Sequence, residues 1–201
     1  MVQDIFDIDS KSSIVRQGIE SRLVYDLADF DVEPFEVPED FAKNSFSFDK
    51  ETYKKAIHNA VKVILPKEGK INDDDYGHLY TCTYEAILNA FQHGNKYDPL
   101  KQVKVGHKFT PEHAHIVVMD QGGKLHPSFV SFIVKNRQSI SKDHVANFYK
   151  FSGLNDNNGV NNGTGTYFTH IYSDKVNYYK SKENGLVISI QKALKNEDSL
   201  L

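Results

Sequence analysis

Apolar and polar positions change period several times along this chain. Residues 44–49, NSFSFD, alternate as a short strand does. Tyr53, Ile57, Ala60, Val61 and Ile64 then recur at helical spacing in ETYKKAIHNAVKVILP, with Asp49 placed to cap the helix and Pro66 and Gly69 to end it. Asn72 or Asp73 starts a longer helix that runs to Gly94. Gly94 and Asn95 are expected to end it, because both tolerate a left-handed backbone. Two strands follow, Gln102–Phe109 and His115–Asp120, with a turn at Pro111-Glu112. Helical stretches are expected at Pro127–Asn136, at His144–Phe151 and directly after Gly165. Residues 175–180 and 186–191 read as a closing hairpin turned at Asn184-Gly185.

The two ends differ from this body. Residues 1–43 form an acidic N-terminal extension, with a helix expected from about Ser12 to Asp29 on Ile14, Ile19, Leu23, Leu27 and Phe30 and a break at Pro34 and Pro38. It reads either as a segment packed on the domain or as an arm that docks a partner or a second copy. Residues 195–201 read as a tail. The stretch NDNNGVNNGTG is too polar to pack alone; it is either a disordered connection or a lid that orders on a ligand.

Composition narrows the function classes. The 201 residues suffice for one domain, residues 44–194, with a sizeable core. Net charge is −3 with both signs mixed, and no basic block tracks a phosphate backbone, so nucleic acid is not the expected partner. The single cysteine, Cys82, rules out an intramolecular disulfide framework and fits a reducing compartment. The acidic N-terminus has no apolar signal region, and no run approaches the roughly 20 apolar residues of a membrane span. The expected location is the cytoplasm, with no membrane contact.

Three segments hold candidate chemistry. Glu85, Asn89 and His93 fall at i, i+4 and i+8, so they line one stripe of the long helix. An amide carbonyl at Asn89 suits Mg²⁺, which takes oxygen ligands and keeps waters and substrate phosphates as the rest. Glu85, one turn earlier, is placed to orient or deprotonate a nucleophile near a terminal phosphate. Zinc capture by His93 with Glu85 is the weaker reading, because no further His or Cys clusters here. Asp120, at the end of a buried strand with Gly122 and Gly123 behind it, can present a carboxylate to a ligand. Gly163-Thr164-Gly165-Thr166 before a helix is a candidate phosphate cradle, since glycines let the backbone approach an anion.

Taken in this order, EAILNAFQHGNK, DQGGKLHP and NNGTGTYFTHIYSDKVNYY resemble the N box and the two glycine boxes of the GHKL ATPase superfamily. They are most similar to those of the anti-sigma-factor serine/threonine kinases. The resemblance covers roughly residues 44–194. It implies a Bergerat ATP-binding fold of the α/β class: a two-layer α+β sandwich in which a mixed sheet carries helices on one face. Asn89 would be the Mg²⁺ ligand, Glu85 the catalytic base and Asp120 the acceptor for the adenine amino group. Gly122 would give the base room. His93, Lys124, Gly163, Thr164, Gly165 and Thr166 would complete the ATP site, and residues 128–162 would form a lid. Departures from the pattern are Lys124 in place of a glycine, Asn161 in place of the first glycine of the later box, Thr164 and Thr166 in place of its leucines, and Gly185-Leu186 in place of a Gly-Thr pair.

The leading expectation is an ATP- and Mg²⁺-dependent protein kinase that phosphorylates a regulatory protein partner, anti-anti-sigma-like or sigma-like. The substituted boxes motivate a different class, a nucleotide-gated binding protein that sequesters such a partner without chemistry. A detached histidine-kinase catalytic domain fits less well, because no dimerisation helix bearing a phosphoacceptor histidine is evident. Since the resembled group is often dimeric, a homodimer is an open expectation.

Overall fold

The computed structural model describes residues 4–6, 25–29, 32–66, 71–138, 147–153 and 163–195. In chain order these form β1 (Tyr25–Asp26), a 3-10 turn (Leu27–Asp29), β2 (Ala42–Phe46), α1 (Tyr53–Ile64), α2 (Asp73–Asn89), a π-helical turn (Ala90–Gly94), β3 (Val103–Phe109), β4 (His113–Met119), β5 (Lys124–Leu125), α3 (Pro127–Gln138), α4 (Phe148–Ser152), α5 (Gly165–Ile171), β6 (Lys175–Lys180) and β7 (Leu186–Ala193). The helix expected over residues 12–29 lies outside the described residues apart from 25–29, which are a strand and a 3-10 turn.

Five strands make one sheet in the order β2-β3-β4-β7-β6, and β1 pairs with β5 in a separate ribbon. Every pairing in the five-stranded sheet is antiparallel. The parallel component expected of a mixed sheet is confined to an isolated bridge between Phe35 and Ser181. The two-layer α/β expectation holds. The period-2 pattern explains the layering: Ala114, Ile116 and Val118 of β4, Val103 and Val105 of β3 and Ile190 of β7 all pack under the helices. They meet Ile57, Val61 and Ile64 of α1 and Leu79, Ala86, Ile87 and Phe91 of α2 and its extension. Burying Ile116 and Ile190 alone contributes about 2 kcal/mol each.

Part of the second face of the sheet is covered by residues 35–41 of the N-terminal extension. Val117 and Val187 pack there with Phe41, Phe35, Val37 and Tyr179. Phe35 stacks on Tyr179 at 4.8 Å, and Phe41 meets the His115 ring edge-on at 4.9 Å. Gly106 in β3 is required by this covering strap, since a Cβ would lie 2.5 Å from Val37 Cγ1.

Two expected caps are resolved differently. Asn72 caps α2 as expected, its Oδ1 accepting from the Asp75 N–H at 2.8 Å. Asp49 does not cap α1; it accepts from the Glu51 N–H at 2.7 Å, in a turn before the cap residue Thr52. Asp75 then anchors α2 to the end of β7. It accepts from the Lys195 N–H at 2.8 Å and Asn72 Nδ2 at 2.6 Å, and pairs with Lys192 Nζ at 3.2 Å. Burial pushes this carboxyl up, but those partners outweigh it and hold it below the ordinary carboxylate range.

Candidate functional site

The stripe of α2 opens onto a cavity of about 500 Å³ between the helices, the edge of β4–β7 and the α3–α5 segments. That volume lies in the range of small-molecule and cofactor sites. Glu85, Asn89, His93, Asp120, Lys124, Gly163, Thr164, Gly165 and Thr166 all line it. Gly122 stands behind the lining, against the backbone of Gly94. Three segments distant in sequence thus converge on one space.

The helix end is not built as the glycine stop predicted. The α-helix gives way to a π-turn in which the Asn95 N–H bonds the Ala90 carbonyl at 2.7 Å, and the Tyr97 N–H bonds the Phe91 carbonyl at 3.0 Å. Asn95 is right-handed at φ −75°, and the left-handed residues are Lys96 and Tyr97 at φ 58° and 59°. π-Turns inside helices concentrate at functional sites. Here the turn keeps His93 on the cavity wall. Asn95 is fully buried and bridges two elements: Nδ2 donates to the Gln102 carbonyl at 3.1 Å, and Oδ1 accepts from the Gln121 N–H at 2.8 Å. It pins the start of β3 and the loop after Asp120 to the helix end.

Gly94 is needed for a reason other than capping. A Cβ there would lie 2.3 Å from Asp120 Oδ2. Gly122 packs on Gly94 in turn, its notional Cβ 2.1 Å from the Gly94 carbonyl oxygen. Gly185 completes the nest: a Cβ would fall 1.8 Å from the Asp120 carbonyl oxygen. The turn itself takes its left-handed residue from Asn184 at φ 59°, so Gly185 serves the site and not the hairpin.

Asp120 is 6% exposed. Its Oδ1 accepts from the Gly122 N–H at 2.8 Å and the Leu186 N–H at 3.1 Å. Oδ2 has no hydrogen-bond partner among the described residues. Burial pushes the carboxyl up to about 6, against the pull of those two N–H groups and of Lys101 and Lys96. One oxygen is therefore committed to the scaffold, and the other is an acceptor left for a ligand.

Glu85 is half-buried on the opposite wall. A Cβ on Gly165 would lie 1.9 Å from Glu85 Oε2, so the carboxylate rests directly on the first residue of α5. Desolvation raises its pKa. Asn89 presents its amide one turn further along. Desolvation, and behind it the Lys96 charge, lower that of His93. Gly163 turns at φ 63° with the Tyr149 ring where a Cβ would stand, and its carbonyl accepts from the Phe148 N–H at 2.7 Å. Lys124 is exposed at the rim on β5.

Several wall residues escaped the sequence reading. Lys54 and Tyr84 lie near the Glu85 side, and Leu27, Phe129, Phe148 and Tyr178 form an apolar side. Tyr84 is on α2 but off the i, i+4 stripe of Glu85, and the others come from other elements, so helical spacing from Glu85 could have flagged none of them.

The match to known proteins agrees with this geometry. The model of the histidine kinase-like ATPase domain matches residues 46–192, most of the chain. The protein belongs to that family, which binds ATP, usually with Mg²⁺. No curated protein matches the chain in sequence. No helix among the described residues is long and apolar enough to cross a membrane.

The residues present fit both groups. The free oxygen of Asp120 beside two close-packed glycines suits an amino group on a flat base. Among the described residues no three His, Cys, Asp or Glu side chains gather to hold a metal ion, so a cation here would draw on the Asn89 carbonyl and on the ligand's own oxygens.

Proposed function

We propose that the domain is a regulatory serine/threonine protein kinase of the anti-sigma-factor type, acting on a hydroxyl of a protein partner. The observation behind this reading is the placing of Glu85 and Asn89 on one wall of the cavity, with Glu85 seated on Gly165. Asp120 Oδ2 accepts the adenine amino group. Asn89 would hold Mg²⁺, which would neutralise phosphate charge. Bound Mg-ATP supplies the phosphoryl group and the charge that the metal neutralises. Glu85 takes the proton of the partner's hydroxyl as that oxygen attacks the γ-phosphorus, and ADP leaves. Its raised pKa makes it a stronger base than an exposed glutamate, which helps proton transfer near neutrality.

The test is label transfer from γ-labelled ATP to candidate partner proteins. The wild-type chain should label a Ser or Thr, and Glu85→Ala should lower the rate by about 10²–10⁴-fold with ATP affinity nearly unchanged. Transfer that survives Glu85→Ala overturns the assignment of the base.

A second reading draws on the contact between the extension and the cavity. Strand β1 pairs with β5, which bears the exposed Lys124 at the rim. A nucleotide-gated binding protein would use such a contact to signal occupancy to a regulatory partner without chemistry. Calorimetry showing ATP binding, combined with an absence of label transfer, supports that reading over the first.

A further inference from the structure

Leu27 is fully buried, yet it lines the cavity beside Leu125, Phe129, Tyr178 and Leu186. It arrives there from the N-terminal extension. Its N–H bonds the Gly123 carbonyl at 2.7 Å, and the strand before it pairs Tyr25 with Leu125 and Asp26 with Lys124. Leu27 is therefore fastened to the loop that follows Asp120, at the apolar end of the cavity.

The first described residues brace the same wall from behind. Asp4 Oδ1 accepts from the Phe6 N–H at 2.7 Å and from Arg137 at 3.0 Å; Oδ2 accepts from Arg137 and from the Tyr178 N–H, both at 2.8 Å. The side chains of Asp4 and Arg137 are 11% and 21% exposed, so this bidentate pair is not a solvent-screened surface contact. Arg137, on α3, also donates to the Val176 carbonyl at 2.9 Å and lies over the Tyr178 ring at 5.5 Å. Tyr178 in turn bonds His170 of α5 at 3.1 Å. The Ile5 N–H bonds the Tyr178 carbonyl at 2.8 Å, and Phe6 packs on Tyr178 at 5.1 Å and Phe129 at 6.2 Å. One carboxylate near the N-terminus thus ties α3 and β6 together, and through Tyr178 reaches α5.

We propose that the N-terminal extension is a wall of the nucleotide site: Leu27 contacts the base end of bound nucleotide, and Asp4 is a positioning residue that, through Arg137, holds α3 and Tyr178 against it. Charge and packing explain why this needs the extension. The apolar side of the cavity takes side chains from α3, α4, β5, β6 and β7 besides Leu27, and Ile5, Phe6 and Leu27 of the extension share one buried cluster with Val130, Phe132 and Ile133 of α3 and Val176 and Tyr178 of β6. Without Asp4, Arg137 would lose the bidentate contact that joins the N-terminal residues to α3 and β6. The inference rests on nucleotide occupying the cavity and not on phosphotransfer.

The test is an equilibrium titration of the full chain with a fluorescent ATP analogue, displaced by ATP or by inorganic triphosphate, which lacks the base. Leu27→Ala should weaken ATP by about tenfold and leave displacement by triphosphate unchanged, as expected for a lost apolar contact to the base. If Leu27→Ala does not fold, Leu27→Val removes one methylene and should still weaken ATP by about threefold. Asp4→Asn should weaken ATP and speed amide hydrogen exchange over residues 127–138 and 175–180, with exchange in α1 and α2 unchanged. ATP affinity in the folded variants within about twofold of wild type overturns the inference, as does an equal loss for ATP and triphosphate. A wild-type chain that binds no ATP overturns the nucleotide reading itself, which separates the two failures.

Discussion

Replacing Asp120 by Asn should stabilise the ligand-free protein at neutral pH while weakening its site. The carboxyl is nearly inaccessible, and burial pushes it up to about 6 from an ordinary value of 3.8. At about 1.36 kcal/mol per unit, that difference of roughly 2 units corresponds to up to about 3 kcal/mol. The folded pKa is raised, so this contribution to stability is fully present below about 4 and is lost as pH rises through about 6. Above that, the fold carries a buried negative charge. An Asn side chain keeps a carbonyl oxygen for the Gly122 and Leu186 N–H groups and never ionises. Urea unfolding of both chains from pH 4 to pH 8 measures the effect. The stability of Asp120→Asn relative to wild type should climb by up to about 3 kcal/mol across that interval. The same substitution puts an N–H₂ donor where the unpartnered Oδ2 stood, so adenine nucleotide affinity should fall. A relative stability that does not change with pH, or that falls as pH rises, would refute the account of Asp120 as a carboxylate kept at a cost for ligand binding.

Two further outcomes follow from contacts around the site. Gly185→Ala should lower stability by about 1–3 kcal/mol, and should also weaken nucleotide binding, because its Cβ would stand 1.8 Å from the Asp120 carbonyl and push Leu186 off Oδ1; thermal melts and ATP titration read the two effects. Asp75→Ala should cost about 3 kcal/mol at pH 7 by leaving Lys192 without its buried partner. Asp75 has a lowered folded pKa, so its contribution is present above about 4 and is lost as pH falls through the folded value; the penalty in chemical denaturation should shrink in acid.

The sequence by itself determined the period of each element and therefore most of the two-layer plan. The α2 stripe is legible because helical geometry puts residues four apart on one face whatever the surroundings. The alternation in β3 and β4 is legible for the same local reason, and so is the cap at Asn72. Asp120 was recognisable as an acid at a strand end, and the order of the three segments pointed to the family. What only the tertiary structure decided are the contacts between elements far apart in the chain. Gly94, read as a helix stop, is a glycine because Asp120 leaves no room for a Cβ. Gly185, read as a turn residue, is a glycine because the Asp120 carbonyl lies behind it. Asn95, read as a cap, is a buried bridge to residues 102 and 121. Leu27, read as part of an outlying helix, closes the cavity from nearly a hundred residues upstream of Leu125. Local periodicity reports backbone geometry and the side that faces the core. Exclusion of a Cβ and the pairing of a buried polar group depend on which atoms stand opposite, and that is settled only when the chain has folded.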